Sequence, residues 1–219
     1  MMLLMPPRPA PRRAPRAPVR PRVRRGAEER RAQLLALARR TFSDRSYDEV
    51  SIDDLAREAR ISKGLLYHYF PTKRDLYVAG LREIAGELVT AVTSIPADLP
   101  PIERARAALD AYLDHITLHA KAFVSLMRGG IGSDPEVADV VEGVRRRMFE
   151  SFITESPFTR LLGGEPRFEL AVRGWIGFVE SASIDWCANP RLPRAELREL
   201  LVAVLFEALR LSAPPLFRT

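Results

Sequence analysis

Residues 51–76 read SIDDLAREARISKGLLYHYFPTKRDL, and this stretch contains three signals for the start of a helix. Each signal is a hydroxyl residue, Ser51, Ser62 or Thr72, whose side chain can accept a hydrogen bond from an otherwise unpaired backbone N–H group. Ser51 and Thr72 are followed three positions later by an aspartate, as in a capping box, and Pro71 ends the middle helix. Because only a short turn separates the first two helices, the segment predicts a helix-turn-helix whose second member enters a DNA major groove.

The second of these helices has two different faces when its residues are placed about 100° apart around the helix axis. One face carries a cation, a glycine and two polar rings: Lys63, Gly64, Tyr67 and His68. The other carries mainly apolar and aromatic side chains: Leu65, Leu66, Tyr69 and Phe70. We expect the second face to pack on the domain and the first to meet DNA. Taken alone, the same pattern also fits an ordinary amphipathic surface helix.

Lys73 lies in the first turn of the third helix, where a cation opposes the helix dipole unless an anion is near. A DNA phosphate would supply this anion, with the exposed N–H groups of the first turn as further donors. The alternative is a solvated lysine, which costs little. The neighbouring helix-turn-helix favours the phosphate contact.

This segment resembles the DNA-binding region of the tetracycline-repressor (TetR) family of bacterial one-component regulators. The matching residues lie within about 27–77, roughly a quarter of the chain: Phe42, Tyr47, residues 51–59, residues 62–70, Thr72, Lys73 and Leu76. The resemblance implies that one set of positions approaches DNA: Ser62, Lys63, Gly64, Tyr67, His68 and Tyr69. It also implies that Lys73 contacts a phosphate.

Arg60 departs from the family pattern, because family members commonly carry glycine at this turn position. A left-handed backbone there would cost a residue with a side chain roughly 1 kcal/mol. We hypothesise that a phosphate contact recovers this cost. The complete predicted DNA-binding set is Ser51, Arg60, Ser62, Lys63, Gly64, Tyr67, His68, Tyr69, Thr72 and Lys73.

The composition indicates a folded protein, because 47% of the 219 residues are hydrophobic. The single cysteine, Cys187, excludes an intrachain disulfide and leaves no zinc-binding spacing. No stretch approaches the roughly 20 uncharged apolar residues that span a bilayer. We therefore expect a cytoplasmic protein without a membrane segment.

The net charge of +6 is concentrated at the N terminus. Residues 1–25 contain eight arginines and no acidic residue, so the rest of the chain has a net charge of −2. Residues 26–75 carry only +1, so the DNA-binding prediction rests on positions rather than on bulk charge. The Arg/Pro-rich residues 1–25 predict a disordered arm that follows a minor groove or adds nonspecific phosphate affinity. The alternative is an unstructured extension that does not bind DNA.

Helical periodicity continues through the rest of the chain, and no segment reads as a strand. Besides the first two helices of the motif, we expect helices near these residues: 27–43, 72–94, 102–119, 123–128, 135–154, 168–188 and 193–212, with a loop at 157–166. The prediction is an all-α chain of about nine helices. After the arm it has an N-terminal three-helix helix-turn-helix DNA-binding domain (26–75) and a C-terminal helical ligand-binding and dimerisation domain (76–219).

The last two helices carry more apolar surface than a terminal hairpin needs, with small residues between the large ones. This pattern favours a four-helix interface between two copies, and the family resemblance supports a homodimer; intrachain core is the alternative. The interface candidates are Phe178, Ala182, Trp186, Leu197, Leu201, Val204 and Leu205. A two-fold dimer would place two DNA-reading helices about 34–36 Å apart on a palindromic operator.

A cavity for a small hydrophobic or aromatic effector is expected between the connecting helix at 72–94 and the dimer helices. Its candidate lining residues are Leu88, Tyr112, His115, His119, Phe123, Met127, Phe149, Phe152 and Trp175. His115 and His119 have metal-compatible spacing, but no third ligand is marked by the sequence. We therefore predict no metal and no cofactor.

Together these patterns predict a DNA-binding transcriptional regulator, a repressor that a small hydrophobic effector releases from a palindromic double-stranded DNA operator. One alternative is an all-α enzyme that acts on a small apolar substrate with His115 or His119 as base. The sequence shows no nucleophile with an orienting partner, so no catalytic residue is predicted. A second alternative is a helical adaptor that binds another protein through its basic arm.

Overall fold

The computed structural model describes residues 22–128, 130–155 and 164–212, and this part of the chain contains helices and no strand. Among the described residues nine helices are α-helical, and a 3-10 helix (Gly130–Ser133) lies between the sixth and the seventh. In chain order they are α1 (Arg22–Asp44), α2 (Ile52–Glu58), α3 (Lys63–Tyr69), α4 (Lys73–Thr93), α5 (Pro101–Leu118), α6 (Ala120–Arg128), α7 (Pro135–Glu155), α8 (Pro166–Ala188) and α9 (Arg194–Ser212). The all-α prediction is confirmed. No described helix has both the length and the apolar composition needed to cross a bilayer.

The predicted N-terminal arm overlaps the first helix. Because α1 begins at Arg22, residues 22–25 are helical, which corrects the predicted boundary. The run that follows is rich in arginine, alanine and glutamate, which favour helices over extended chain. Residues 1–21 of the predicted arm and residues 157–163 of the predicted loop lie outside the described residues.

The first three helices and the first half of α4 share one apolar core. Its buried members include Leu34, Leu37, Ala38, Phe42, Val50, Leu55, Leu66, Phe70, Leu76 and Val78. Where α1 crosses α4, a Cβ added to Gly80 would lie 3.5 Å from Ala38, so the glycine lets the two helices approach closely. This packing holds α3 in a fixed position against α4.

α4 is shared between the two halves of the chain. It packs against α1 on one side and against α5 and α7 on the other. The apolar core of the N-terminal helices continues into Val137 and Val140 of α7. The apolar packing is therefore continuous across the predicted domain boundary at residue 76. Because this packing is dense, a shift of α7 would displace α4.

Four charged side chains join the start of α4 to the start of α7. Arg74 donates to both carboxylate oxygens of Asp134, at 2.5 and 2.6 Å, and to Glu136 at 2.7 Å. Arg82 donates to the other Glu136 oxygen at 2.8 Å. Asp134 also caps α7, because its Oδ1 accepts hydrogen bonds from the backbone N–H groups of Glu136 and Val137. The hydrogen bonds from Arg74 lower the pKa of Asp134 to about 2.

The two C-terminal helices, α8 and α9, pack against each other and on α5. Their shared core with α5 buries Leu109, Leu113, Ile116, Val179, Leu197, Leu201 and Val202. A neighbouring cluster with α7 buries Phe149, Phe168, Val172, Leu205 and Leu209. These layers leave an open space between α4, α5, α7 and α8.

The Arg74–Asp134 contact predicts an acid-dependent loss of stability. Because the folded-state pKa of Asp134 is depressed, its contribution is fully present above the ordinary value of 3.8 and is lost as the pH falls towards about 2. We expect the difference in unfolding free energy between the wild type and Asp134→Asn, measured by urea unfolding, to be constant above pH 5. It should shrink between pH 4 and pH 2.

The exposed Asp98, which makes no ion pair with the described residues, provides the matched Asp98→Asn control. This control should differ from the wild type by the same small amount at every pH. A pH-independent difference for Asp134→Asn would contradict the proposed role of the contact.

Candidate functional site

α3 is held at both ends and along one side. Its N-cap Ser62 accepts a hydrogen bond from the Leu65 N–H group at 3.2 Å. Phe70 leaves the helical conformation directly before Pro71, and its ring is buried. Leu66 is fully buried beneath the helix. The orientation of the opposite face is therefore fixed by the core.

Most of the predicted DNA-binding residues lie on the outer surface. The exposed members are Ser51, Arg60, Ser62, Lys63, Gly64, Tyr67, His68 and Thr72. Tyr69 is half-buried and packs on the N-terminal core, with its ring centroid 5.2 Å from that of His68. Lys73 is also half-buried. Tyr69 is therefore the predicted residue least able to reach DNA.

The prediction that Leu65 packs inward is wrong, because this residue is 39% exposed. On the helical wheel it stands at the edge of the apolar face, about 60° from His68, and the core beneath is filled by Leu66. The exposed face therefore includes an apolar group of the kind that contacts a thymine methyl.

No contact within the described chain requires a glycine at position 64. A Cβ added there would meet only the Ser62 Oγ at 4.0 Å, and no left-handed φ is present. The glycine instead keeps the middle of the exposed face free for close approach by a partner. Beside it, the Lys63 ammonium forms an ion pair with Asp53 of α2 at 2.5 Å.

Lys73 has a partner other than the expected anion. Its ammonium lies 4.0 Å from the centroid of the Tyr47 ring, whose negative face stabilises a cation. Tyr47 in turn meets Tyr77 edge-on at 5.0 Å, and Tyr77 meets Phe42 at 4.9 Å. This row of rings, running from α1 to α4, positions the lysine at the surface. No sequence signal marks Tyr47 as the ring that contacts Lys73.

The helix caps follow the sequence signals closely. Thr72 and Asp75 form a full capping box at the start of α4. At α2 the Ser51 hydroxyl accepts from the Asp54 N–H group at 3.0 Å. The Asp54 carboxylate accepts from that hydroxyl and from Arg57. Both helices therefore begin at the residues that the sequence signals indicate.

Arg60 adopts the left-handed conformation that its position in the turn suggests, with φ 55°. The Arg60 N–H group donates to Arg57 and the Ile61 N–H group donates to Ala56, which is the hydrogen-bond pattern of a Schellman motif. The α2–α3 turn therefore requires this backbone, and the arginine side chain points to solvent from a strained residue.

The predicted cavity is present, with a volume of about 260 Å³. Eight of the nine candidate residues line it: Leu88, Tyr112, His115, His119, Phe123, Met127, Phe152 and Trp175. Phe149 does not line it, because its ring packs with Phe168 and is covered by Arg173 at 3.9 Å. Met148, the preceding residue, faces the cavity instead. The prediction is therefore off by one position along the helix, because adjacent helical residues point in different directions.

Charged residues that the sequence analysis did not select also line the cavity. Arg145 donates to both oxygens of Glu180 at 3.0 Å and again at 2.8 Å. Arg104 lines the wall near the start of α5. No hydropathy pattern marks these residues, because each lies on a helix of mixed polarity.

His115 and His119 face each other in the wall, with ring centroids 4.9 Å apart. Burial, together with the smaller effect of the neighbouring His119, lowers the pKa of His115 to about 4. Burial also lowers the pKa of His119. Within the described residues no group of three or more His, Cys, Asp or Glu side chains could hold a metal.

Three of the seven predicted interface residues are wrong. Leu197, Leu201 and Leu205 are buried within the chain, where they pack on α5 and α7. Trp186 is half-buried and donates from its indole N–H group to the Leu192 carbonyl oxygen at 2.8 Å. The apolar stripe of α9 is thus used for the core of a single chain, as the sequence analysis had allowed.

A different face of α8 and α9 is exposed in the described part of the chain. Its small and apolar residues are Leu170, Gly174, Gly177, Phe178 and Ser181 of α8 and Leu200 and Ala203 of α9. Half-buried Ala182 and Val204, both predicted, lie beside it. A Cβ at Gly174 or Gly177 would meet nothing within 4 Å, so neither glycine serves packing within the chain.

Two family models match this chain. Residues 34–79 match the model described as "Bacterial regulatory proteins, tetR family". Residues 101–208 match "Tetracyclin repressor-like, C-terminal domain". The first match contains α2, α3 and their caps, and the second contains most of the cavity wall and the face on α8 and α9.

Individual relatives agree with these matches. The chain is 33% identical to the HTH-type transcriptional activator FasR of Mycolicibacterium smegmatis over 116 residues, which are 52% of this chain and about half (53%) of that protein. It is 28% identical to the regulator BetI of Stenotrophomonas maltophilia, covering 69% of this chain and 78% of that protein. A solved tetR-family transcriptional regulator from Streptomyces coelicolor is 37% identical, with a TM-score of 0.77, and the match covers 84% of this chain and 82% of that one.

The strained turn predicts that Arg60→Gly stabilises the fold. Removing the side chain relieves about 1–2 kcal/mol of left-handed strain, of which glycine returns roughly 0.5–1 kcal/mol as unfolded-state entropy. We therefore expect the free energy of unfolding to rise by up to about 1 kcal/mol in urea titrations. A fall in stability would show that the Arg60 side chain makes a stabilising contact within the chain.

Proposed function

Because the chain belongs to the TetR family of transcriptional regulators, we propose that it binds a palindromic operator as a homodimer and that a small apolar ligand controls this binding. The proposal rests above all on the outer face of α3. This face presents Lys63, Gly64, Leu65, Tyr67 and His68 from a helix whose other side is locked in the core. These groups combine a phosphate-binding cation with ring and methyl groups suited to base edges.

Two residues outside α3 would fix the helix against the DNA backbone. Lys73, whose ammonium lies over the Tyr47 ring, is in the first turn of α4, where the N terminus of a helix attracts an anion. Arg60 projects from the turn between α2 and α3. Phosphate contacts from either side of α3 would set its register without reading sequence.

The exposed face of α8 and α9 supports the homodimer. Glycines with free space beside them let a second pair of helices approach closely, and Phe178 and Leu200 supply apolar area. Four helices would then meet around a two-fold axis. Two copies of α3 would be presented to successive major grooves on one side of the duplex.

The cavity supports control by a ligand. It lies against α4, which carries α3 through the Pro71 turn and is tied to α7 by Arg74. A ligand that prefers the conformer with displaced α4 would change the spacing of the two recognition helices, and a tenfold preference corresponds to about 1.4 kcal/mol. We propose repression with release by the ligand; the relative FasR is named an activator, so a transcription assay decides the sign.

The relatives named above are transcriptional regulators and not enzymes, which argues against the alternative of a helical enzyme. In the cavity the two histidines are neutral near pH 7, because burial lowers the pKa of both. They face apolar walls rather than a nucleophile. The site therefore suits binding better than catalysis.

Variants of the α3 face test the DNA-binding proposal. Tyr67→Ala or His68→Ala should weaken binding to the chain's own upstream operator by about 1–3 kcal/mol and leave binding to scrambled DNA nearly unchanged. Lys73→Ala should weaken both and reduce the slope of log affinity against log salt by about one unit. Fluorescence anisotropy at several salt concentrations measures all three.

The two classes of variant control for each other, because base readers and phosphate contacts change different quantities. Equal losses on operator and scrambled DNA for Tyr67→Ala and His68→Ala would remove them as base readers. An unchanged salt slope for Lys73→Ala would remove the phosphate contact.

Phe178→Glu tests the homodimer. It places two carboxylates together near the two-fold axis, so we expect a monomer in analytical ultracentrifugation and a large loss of operator affinity. The control is Leu118→Glu, which puts the same charge at a leucine that is 72% exposed on α5, away from α8 and α9. A Phe178→Glu protein that remains dimeric would place the interface elsewhere.

A further inference from the structure

The cavity is long rather than round. On α5 its lining runs from Pro101 to His119, and on α4 it runs from Tyr77 to Val92. The stretch from Pro101 to His119 spans about 27 Å, since each helical residue rises about 1.5 Å. The cavity is therefore a slot that follows α5 and α4, which suits an extended chain better than a compact ring system.

Glu180, the acidic residue in the lining of the slot, is paired with an arginine. Arg145 is held by both oxygens of Glu180, so this pair offers no net charge to a ligand. The burial that lowers the pKa of His115 to about 4 keeps its ring neutral near pH 7. Arg104 lies eleven residues earlier on α5, about 16 Å along the helix from His115. An anionic head group beside His115 would lose its hydration without gaining a cation.

The histidine end of the slot nevertheless contains polar atoms that need a partner. The His119 Nδ1 atom is buried and has no hydrogen-bond partner. His115 lines the slot, and none of the described residues forms a hydrogen bond with its ring. Beyond these rings the walls are apolar, with Ile84, Leu88 and Phe123 among the lining residues. One neutral polar group therefore fits at this end and an apolar tail fits along the rest.

From this arrangement we propose that the ligand is a linear, uncharged amphiphile whose neutral head group bonds to His115 and whose unbranched tail lies along α5. The inference rests on the proposed effector site and specifies its chemistry. His115 is then the residue that determines head-group specificity. The length of the slot selects chains over rings, and the lack of a net charge beside His115 selects a neutral head group over an acid at that end.

Three probes separate shape from charge in the full-length wild-type protein without DNA. 2-Decanone is a linear neutral ketone, camphor is a compact ketone with the same number of carbons, and decanoate is a linear anion. Trp175 lines the slot, so its emission reports binding. At pH 7.5 we expect 2-decanone to bind at least tenfold more tightly than camphor and at least tenfold more tightly than decanoate. Equal or tighter binding of either competitor, or no binding of 2-decanone, would overturn the proposal.

His115→Phe tests the head-group contact, because it keeps a ring in the wall and removes the hydrogen-bonding nitrogens. We expect the affinity for 2-decanone to fall about three- to tenfold, the usual size of one hydrogen bond. The affinity for 1-chlorodecane, which has similar length but a poor acceptor, should stay the same or rise. Equal changes for both probes would show that His115 only shapes the wall.

The wild-type comparison stands even where His115→Phe fails to fold, which a thermal unfolding curve reveals. Operator binding measured with and without 2-decanone then separates the two proposals. Tight, selective binding without any effect on the operator would contradict ligand control and leave the ligand chemistry intact. If the protein still binds its operator but does not prefer 2-decanone over camphor and decanoate, only the proposed ligand chemistry is overturned.

Discussion

The connection between α3 and α4 is the constraint on which the rest of the structure depends. Leu66 and Phe70 anchor α3 in the N-terminal core, and the Thr72 capping box starts α4 directly after Pro71. Pro71 fixes its own φ angle and restricts the backbone of Phe70, which stiffens the link between the two helices. A shift of α4 would therefore move the exposed face of α3, and in the proposed dimer it would change where the two recognition helices lie on DNA.

The same helix would connect a ligand bound in the slot to α3. α4 forms one wall of the slot, and the Arg74 contact with Asp134 ties its first turn to the cap of α7. α7 contributes another wall through Met148 and Phe152. A ligand that changes the distance between these walls would also strain the Arg74–Asp134 contact, which joins α4 to α7. Packed helices respond to such a change as rigid bodies, because protein interiors are dense and not easily compressed.

Local sequence signals predicted the structure well where they act over a few residues. The hydroxyl groups of Ser51, Ser62 and Thr72 each accept a hydrogen bond from the backbone N–H group three positions later, as predicted. Leu65 shows where such reasoning ends, because a residue at the edge of a helical face is assigned only by what fills the core beside it. Leu197 and Leu201 show the same limit on a larger scale. The sequence pattern of an apolar helix face is the same whether the face packs on α5 or on a second chain. Only tertiary packing distinguishes the two cases.

The central claim is that a two-fold dimer presents two copies of α3 to one face of DNA. Hydroxyl-radical footprinting of the chain's own upstream DNA at stated salt tests it most directly. The account predicts two protected half-sites related by a dyad and centred one helical turn, about 10–10.5 base pairs, or a whole multiple of it, apart. Uniform protection without a dyad, or no protection above that of scrambled DNA, would contradict it.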